Sequence, residues 1–355
     1  MTLVALSTRT VNLLLLVCLV ITGVSGIGSF LVGHPDGAWV FWTHRIASLA
    51  MIPLMWWKIG IIVQSYAKRG ITLSTVLSAV SAVFFVLTFS YGVLWATIGV
   101  GGGRLPILGN TSGLGLHVTF AGIFAPLLIV HVVNRWDQIR ARMPDFAKRR
   151  MAMRYAIFGV AGLLLWRGTE TTTTQAGWEG SERRFTGSKP RGRFTGNDYP
   201  TVNWLTDPHP RIEADEWRLR IDGLVLNQMT LTMDDFEGYE QQSIEAILDC
   251  TGGWFTEQRW TGVPVRDLLD DAKVRDSARS VVFHSETGYR RRYSVRQARR
   301  MLLAVEVTDE TISRRKGYPV RLVAPGHRGF GWVKWVVRIE LSDLPGWLES
   351  PLPLQ

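Results

Sequence analysis

The chain has 355 residues, enough for two domains, and its formal net charge at pH 7 is +10. The first 166 residues contain 13 basic and 3 acidic side chains, whereas the remaining residues contain 27 of each sign. The whole positive excess therefore lies among the apolar segments of the first half. This distribution favours a membrane protein and argues against a nucleic-acid partner.

Five segments of the first half are apolar enough to cross a bilayer, for which about 20 residues are needed. They predict an all-α bundle of transmembrane helices at Val11–Leu31, His44–Val63, Ser74–Ile98, Leu116–Val133 and Met151–Trp166. The fifth segment is the shortest. We expect the first segment to be a span rather than a cleaved signal peptide, because only Arg9 precedes it and several apolar segments follow.

Basic residues are concentrated in the loops after the second and fourth segments. They are Lys68 and Arg69 in the first of these loops, and Arg135, Arg140, Arg142, Lys148, Arg149, Arg150 and Arg154 around the second. The positive-inside rule therefore predicts a multi-pass cell-membrane protein with a cytoplasmic N-terminus. The chain after Trp166 is then periplasmic or extracellular, and membrane lipid is an expected partner.

The twin arginine Arg149–Arg150 precedes the weakly apolar fifth segment. This arrangement resembles a twin-arginine translocation signal, which would export a domain already folded around its cofactor. The two arginines also suit a simpler role as positive-inside anchors. The sequence leaves both interpretations open.

Four of the seven histidines lie in the first half, at His34, His44, His117 and His131. An ionisable side chain within a span is costly and therefore suspect as functional. His117 and His131 are 14 residues apart on one predicted helix. They should face nearly the same way, about 21 Å apart along the axis. This spacing resembles the helices of respiratory di-haem b cytochromes.

Each b-type haem of that kind needs a second axial ligand. His44 and His117 both begin spans of the same direction, so we expect them to hold one haem b near the outer membrane face. The position 14 residues after His44 is Lys58, which breaks the second pair. His131 is therefore left as a candidate ligand of a second haem. In each case a histidine that only forms hydrogen bonds is the alternative, and c-type haem is excluded by the lack of Cys-x-x-Cys-His.

The second half of the chain has a different pattern. Residues 167–196 are rich in Thr, Gly and Arg and are predicted to be a linker without periodic structure. Residues 197–355 are predicted to form a soluble α+β domain with a mixed sheet. Strands are expected at WRLRIDGLV, SVVFHSE, YPVRLVAP and WVKWVVRIEL, and short helices at TGVPVRDLLDDA and SVRQARRMLLAV.

The stretch ILDCTGGW contains Cys250, and the chain's other cysteine, Cys18, lies in the first predicted span. A disulfide between them is geometrically unfavourable. A free thiol outside the cell is oxidised unless it is buried or ligated. Gly252 and Gly253 would let the backbone approach a bulky ligand, and a soft thiolate suits a transition metal. A buried, inert cysteine is the alternative.

Six motifs follow one another between residues 195 and 342. They are GNDYPTVNW, WRLRIDGLV, ILDCTGGW, RWTGVPVRDLL, VVFHSETGY and GYPVRLVAPGHRGFGWVKWVVRIEL. In this order they resemble the molybdopterin-binding domain of the sulfite oxidase family. The resemblance implies that Cys250 is the catalytic thiolate that binds molybdenum. It also implies that Arg328 and Lys334 bind the phosphate end of the molybdopterin cofactor, with His327 and Asn197 lining the pocket.

Two positions depart from the family's pattern. Gly196 and Asp198 stand where its sulfite oxidases have a basic residue and a histidine. A carboxylate would repel an anionic substrate, which favours a neutral or cationic one such as an S-oxide or N-oxide. The arginines of YRRRY, residues 289–293, either bind anions or form a solvated strand edge.

We therefore expect a membrane-anchored molybdopterin-dependent oxidoreductase. It would exchange electrons between a b-haem linked to the quinol pool and a small extracytoplasmic substrate, with reduction of an S-oxide or N-oxide favoured. One alternative is a sulfite-type oxidase of the same family. Another is a haem-bearing electron-transfer or sensory membrane protein whose outer domain is not catalytic.

Overall fold

The computed structural model describes residues 6–99, 103–105, 109–134, 136–141, 149–202 and 209–350. The chain divides into two compact units, which are Met1–Ser29 with Asp36–Gly187, and Phe30–Pro35 with Ser188–Gln355. The boundary at Gly187 falls inside the predicted linker. Part of the second basic loop, and the end of the first motif at Asn203 and Trp204, lie outside the described residues.

The first unit is helical, as the apolar runs predict. Its helices are α1 (Thr8–Gly28), α2 (Ala38–Arg69), α3 (Leu73–Ala96), α4 (Gly113–Val133), α5 (Trp136–Arg140) and α6 (Arg149–Gln175), with a hairpin of β1 (Gly103–Leu105) and β2 (Gly109–Thr111) after α3. Helix α2 packs against α1 and α6, and α3 packs against α4. Side-chain oxygens of Ser7, Thr72 and Ser112 accept hydrogen bonds from the first turns of α1, α3 and α4, which fixes where these helices begin.

Among the residues that the structure describes, four helical segments are long and apolar enough to cross a membrane, namely Thr8–Gly28, Pro35–Lys68, Leu73–Ala96 and Gly113–Val133. The first half therefore carries several candidate spans, as predicted. The fifth predicted span, Met151–Trp166, is helical within α6, but α6 is not among the candidates. Its apolar stretch is short and lies between arginines and a threonine-rich end. A fifth span stays a prediction.

The predicted linker contains more regular structure than its composition suggests. Helix α6 continues past Trp166 to Gln175, a short 3-10 turn covers Glu179–Glu182, and Lys189–Arg193 forms a strand. The indole Nε1 of Trp166 donates to Glu170 at 2.9 Å, which supports the extra helical turns. The expectation of a segment without periodic structure is therefore wrong for these stretches.

The second unit is an α+β domain with two mixed sheets, as predicted. Its elements are β3 (Lys189–Arg193), β4 (Leu219–Gly223), β5 (Met229–Leu231), α7 (Met233–Glu237), β6 (Gln242–Cys250), β7 (Trp254–Pro264), α8 (Val265–Asp271), β8 (Ser280–Ser285), β9 (Arg290–Ser294), α9 (Val295–Ala298), β10 (Leu302–Val307), β11 (Glu310–Thr311), β12 (Arg321–Val323) and β13 (Val336–Ser342). Within the described residues, β7 pairs with β3, β6 and β10, and β10 also pairs with β11 and β12. The other sheet has the order β5-β4-β13-β8-β9, and Trp217, Trp260 and Phe283 are fully buried in the core.

Most predicted elements of this unit are confirmed, and one is not. The four predicted strands correspond to β4, β8, β12 and β13, and the first predicted helix contains α8. The second predicted helix is helical only over Val295–Ala298, and its apolar end forms β10. Leu302–Val307 pairs with both β7 and β12. A short apolar run fits a helix or a strand equally well, so pairing with strands on both sides decides its conformation.

The six residues Phe30–Pro35, which we call the strap, belong to the second unit although they precede α2 in the chain. A Cβ at Gly33 would lie 2.6 Å from the carbonyl oxygen of Gly326 and 2.7 Å from the carbonyl carbon of His327. The imidazole of His34 lies on the same turn, 3.6 Å from where a Cβ at Gly326 would be. At Gly33 the strap therefore packs backbone to backbone against the turn that carries His327.

Candidate functional site

Cys250 ends strand β6 at a tight turn that leads into β7. It pairs across the two strands with Trp254, and Gly253 in the turn has φ +92°, a conformation that favours glycine. The thiol is free and buried, and its Sγ accepts a hydrogen bond from the backbone N–H of Gly252 at 3.3 Å. The glycine pair thus leaves room for a backbone donor to reach the sulfur.

The electrostatic surroundings of this sulfur are mixed. Burial raises the pKa of the Cys250 thiol, while the Gly252 N–H and the cations of Arg328 and Lys334 oppose that rise. A buried thiol of this kind stays protonated until a cation is bound, and a coordinated metal deprotonates it. The site therefore suits a metal ligand better than a nucleophile that must ionise unaided.

Arg328 lies directly beside Cys250. Its Nη2 donates to the carbonyl oxygen of Cys250 at 3.3 Å, and its Nη1 lies 3.6 Å from the carboxylate of Asp249. Both partners of this ion pair are buried, and Ser188 donates a hydrogen bond to the same carboxylate at 2.6 Å. A Cβ at Gly329 would lie only 3.2 Å from Cα of Cys250. The glycine after Arg328 thus allows the backbone of this turn to lie close to Cys250.

His327 is held by aromatic neighbours. Its ring centroid lies 5.0 Å from that of Tyr293 in an edge-to-face arrangement, and its carbonyl accepts from Trp332 Nε1 at 3.3 Å. Burial, and then the charge of Arg291, lower the pKa of His327. Its imidazole is therefore neutral at pH 7. Arg291, the middle arginine of YRRRY, is itself buried and paired with Glu349 at 3.0 Å, so it is not part of a solvated strand edge.

Lys334 is held by two backbone carbonyls. Lys334 Nζ donates to the carbonyls of Val202 at 3.1 Å and Arg315 at 3.2 Å. Its charge acts on the Cys250 thiol. The structure therefore brings Lys334 within electrostatic reach of the cysteine, together with Arg328.

Asn197 has a fully used amide. Its Nδ2 donates to Glu310 at 2.9 Å and to the carbonyl of Thr311 at 3.0 Å, and its Oδ1 accepts from the N–H of Ser313 at 2.8 Å. These contacts tie the start of the domain to the end of the β10–β11 hairpin. The role of Asn197 as a residue that lines the cofactor pocket stays a prediction.

Several residues near the thiol were missed by reasoning from the sequence. Arg321 is 2% exposed, its Nη1 donates to Tyr199 Oη at 3.3 Å, and its guanidinium lies 5.3 Å from the ring centroid of Trp260. Tyr199 also packs against Trp254, with centroids 5.9 Å apart. A signal was present, because an arginine interrupts the otherwise apolar strand YPVRLVAP.

The buried donors near Cys250 include Nε1 of Trp254 and Nε of Arg321, which have no hydrogen-bond partner within the part of the chain that the structure describes. An unsatisfied buried donor is costly, so an acceptor-rich ligand is the natural complement. Together with the soft sulfur of Cys250 and the cation of Arg328, these donors fit an anionic molybdenum–pterin cofactor. Within the described residues, no group of three or more His, Cys, Asp or Glu side chains gathers as a metal site.

In the first unit, His44 of α2 and His117 of α4 face each other. Their ring centroids are 6.1 Å apart and the rings are nearly perpendicular, at 88°. His44 Nδ1 donates to the carbonyl of Thr22 at 3.0 Å, and His117 Nδ1 donates to that of Thr88 at 2.7 Å. A carbonyl can only accept, so the proton of each neutral imidazole lies on Nδ1. Both Nε2 atoms then keep a lone pair for a metal.

The separation of these rings matches one shared metal atom. Two imidazoles bound through Nε2 at about 2 Å from a metal have centroids about 6 Å apart. Backbone carbonyls that orient metal-bound histidines are a common supporting feature. The structure therefore brings together the two histidines that were predicted to hold one haem, and their role as its ligands stays a prediction.

The remaining candidates have other neighbours. His131 lies in the last turn of α4, with Nδ1 3.4 Å from Ser78 Oγ. Lys58 Nζ donates to Asn12 Oδ1 of α1 at 2.8 Å. A role for His131 in a second haem stays a prediction, and His34 belongs to the strap.

Comparisons with known proteins bear on the second unit. Residues 206–346 match the family model of the oxidoreductase molybdopterin binding domain. A nitrate reductase [NADPH] from Mycosarcoma maydis is 29% identical over 177 residues, which are 38% of this chain and 18% of that protein. The mitochondrial sulfite oxidase of Drosophila melanogaster is 25% identical over 211 residues, which are 47% of this chain and 37% of that protein.

Among solved structures, the sulfane dehydrogenase SoxCD from Paracoccus pantotrophus matches with a TM-score of 0.37 and 25% identity, over 38% of this chain and 40% of that chain. The chain spans only 18% and 37% of the length of the two reductase and oxidase relatives. The comparisons nevertheless agree with the family resemblance for residues 206–346, which are similar to molybdopterin-binding oxidoreductase domains.

Proposed function

We propose that the chain is a membrane-anchored molybdenum-cofactor enzyme that reduces a small S-oxide or N-oxide outside the cytoplasm. The single observation that carries the proposal is the placement of Cys250, whose buried sulfur lies beside Arg328 and two unsatisfied buried donors. Its electrons would come from the quinol pool through a haem b between His44 and His117.

The cofactor would supply oxygen-atom transfer coupled to a two-electron exchange, and the protein would supply orientation and electrostatics. Cys250 would be the protein ligand of molybdenum. Arg328, held by Asp249, would neutralise negative charge next to that ligand. His327, neutral and fixed by Tyr293, would offer a hydrogen bond without adding charge.

The unsatisfied donors favour a substrate with a strong hydrogen-bond acceptor. The oxygen of an S-oxide or N-oxide carries much of a negative charge although the molecule is neutral, so Trp254 Nε1 and Arg321 Nε would suit it. Aromatic walls from Tyr199 and Trp254 would exclude water and strengthen these hydrogen bonds. The exposed carboxylate of Asp198 supports a neutral rather than an anionic substrate.

The haem would let one-electron and two-electron carriers exchange electrons within one chain. Covalent linkage of the two units raises the effective concentration of each for the other. Four apolar helices support anchoring in lipid, and the basic loops support an outer location for the second unit.

The proposed function is tested by metal and haem analysis of the purified full chain, followed by steady-state assays. We expect molybdenum close to one atom per chain, b-type bands, and turnover of S-oxides or N-oxides with a reduced viologen as donor. Turnover of sulfite alone, with ferricyanide as acceptor, would instead establish the oxidase alternative. A chain with haem but without molybdenum would point to an electron-transfer or sensory protein.

Gly92→Ala is expected to lower haem content several-fold, because a Cβ at position 92 would lie 2.9 Å from Nδ1 of His117. The displaced imidazole would lose its hydrogen bond to Thr88 and its alignment with His44. Gly122→Ala in α4 is the matched control, since a Cβ there meets no atom within 4 Å. The pyridine haemochrome assay measures both variants, and equal haem content in the two would contradict haem ligation by His117.

A further inference from the structure

Apolar side chains are exposed around the 3-10 turn Gly346–Leu348 of the second unit. Trp347 is 79% exposed, and Leu344 and Leu348 beside it are exposed as well. We call these three residues the apolar patch. The other tryptophans that the structure describes in this unit are buried, namely Trp217, Trp254, Trp260, Trp332 and Trp335. An exposed apolar patch in a unit that buries its other large aromatics marks a surface that contacts another molecule or a membrane.

The backbone on both sides of Trp347 is fixed. A Cβ at Gly346 would lie 2.6 Å from the backbone nitrogen of Ser294, so the turn packs backbone to backbone against the end of β9. After Trp347, the carboxylate of Glu349 pairs with the buried Arg291 at 3.0 Å. The outward position of the indole is therefore set by contacts before and after it in the chain.

Exposed arginines border the apolar patch. The backbone N–H of Arg279 donates to the carbonyl of Ser342, two residues before Leu344, at 2.8 Å, and the Arg279 side chain is exposed. Arg296 is exposed in α9, which directly follows the end of β9. Asp343 is exposed in the same stretch. The two arginines and this aspartate together carry a net positive charge, which suits an anionic surface.

The apolar patch is connected to the strap by a short series of contacts. It packs on the end of β9, the ring centroid of Tyr293 in β9 lies 5.0 Å from that of His327, and Gly33 packs on the His327 turn. The strap begins two residues after α1 ends at Gly28. Insertion of α1 in the predicted direction would hold the strap at the outer membrane surface. Lipid would then lie within reach of this part of the second unit.

We propose that the apolar patch inserts into the outer surface of the bilayer, with Arg279 and Arg296 binding lipid phosphates. Tryptophan is enriched at the membrane–water interface, and aromatic side chains beside basic ones are typical of segments that lie in it. The inference goes beyond the proposed function and takes from it only the anchoring of the chain in a membrane.

A bilayer suits the apolar patch better than a protein partner does. A stable protein interface buries about 800 Å² on each side, whereas one aromatic side chain buries about 150–250 Å². Three side chains therefore fall well short of such an interface. A membrane that already holds the same chain is present at high effective concentration, so a small contact is sufficient.

The inference is tested by a depth measurement on the full chain in bilayer discs of equal parts phosphatidylcholine and phosphatidylglycerol. A spin label is attached at Leu348→Cys in the Cys18→Ser background, which keeps Trp347 in place. Collisions with oxygen report exposure to lipid, and collisions with a water-soluble nickel complex report exposure to water. We expect the ratio of oxygen to nickel collisions to be several-fold higher than for the same label at Leu226→Cys, an exposed leucine elsewhere in the unit. The background chain without an added cysteine measures any label taken up by the buried Cys250.

Matched variants test each part of the contact with the label kept in place. Trp347→Ser should lower the ratio several-fold, whereas Leu226→Ser should leave it unchanged. Arg279→Gln combined with Arg296→Gln should lower the ratio to the value that the parent chain has in discs of phosphatidylcholine alone, because anionic lipid attracts basic side chains. Leu344→Cys replaces the first reporter if that variant does not fold, as judged by circular dichroism.

Equal ratios at Leu348 and Leu226 overturn the inference. Exclusion of both oxygen and nickel at Leu348 also overturns it, and two chains per disc by light scattering would then assign the apolar patch to a second copy of the chain. A chain that does not enter the discs overturns the inference together with the anchoring in the proposed function. Absence of molybdenum or haem overturns only the proposed enzyme, because immersion of the label is measured without turnover.

Discussion

Cys250→Ser is expected to abolish substrate reduction while leaving the second unit folded. Serine nearly matches cysteine in size, so the turn between β6 and β7 should persist, but a hydroxyl is a poor ligand for a soft metal. Loss of residues that only support a metal ligand typically lowers activity about 10- to 100-fold, so loss of the ligand itself should exceed about 100-fold. Steady-state turnover with a reduced viologen and metal analysis measure the effect.

Cys18→Ser provides the control for that variant. Cys18 lies in α1, and its replacement should leave turnover and molybdenum content unchanged. Undiminished turnover in Cys250→Ser, with wild-type molybdenum content, would refute the assignment of Cys250 as the metal ligand. The second unit would then be better described as a non-catalytic domain.

His117→Leu, and likewise His44→Leu, is expected to remove the b-type bands from the reduced-minus-oxidised spectrum. Each variant deletes one of two axial ligands, and leucine fills the space without offering a lone pair. Haem content should fall by more than about tenfold. Turnover driven by a quinol should disappear with the haem, whereas turnover driven by a viologen should persist, because this donor can reduce the second unit directly.

His131→Leu is the comparison for these two variants. Its imidazole lies near Ser78 at the other end of α4, so we expect one haem to remain with unaltered bands. If His131→Leu lost haem while His117→Leu kept it, the ligand assignment would be wrong. If all three retained quinol-driven turnover, the haem would have no part in electron supply.

The helical half could be predicted from apolar runs, because a bilayer demands a length that few other structures need. Helix ends were harder to predict. Helix α2 begins at Ala38 and ends at Arg69, well beyond the predicted His44–Val63. Outside the apolar stretch, hydropathy no longer defines the helix, and capping and packing decide where it ends. The same reason explains why α6 continues to Gln175.

In the candidate active site, the residues found from the sequence belong to one continuous motif or to the cysteine turn. Cys250, His327 and Arg328 were recognisable because their spacing resembles a known family. Tyr199, Lys316 and Arg321 were not, because they come together only when the segment after Gly196 packs against β12 and the turn before it. Local sequence patterns do not reveal such long-range contacts. A charged residue in an apolar strand nevertheless indicates that it has a polar partner elsewhere in the fold.

Strand β10 shows a second limit of prediction from the sequence. Its apolar side chains satisfy a helical pattern and a strand pattern alike, and no nearby glycine or proline separates it from α9. Backbone pairing with β7 and β12 determines the outcome. Only knowledge of the neighbouring strands could have resolved this choice.

The strap has a genetic consequence. By position along the chain, an allele at Gly33 would be grouped with lesions of the apolar helices, since it lies between α1 and α2. Any larger side chain there would press on the backbone of Gly326 and His327. Alleles at Gly33 should therefore phenocopy those at His327 and Arg328, with spectroscopically normal haem but defective oxidoreductase chemistry. They should form a different phenotypic class from alleles at His44, only eleven positions further on.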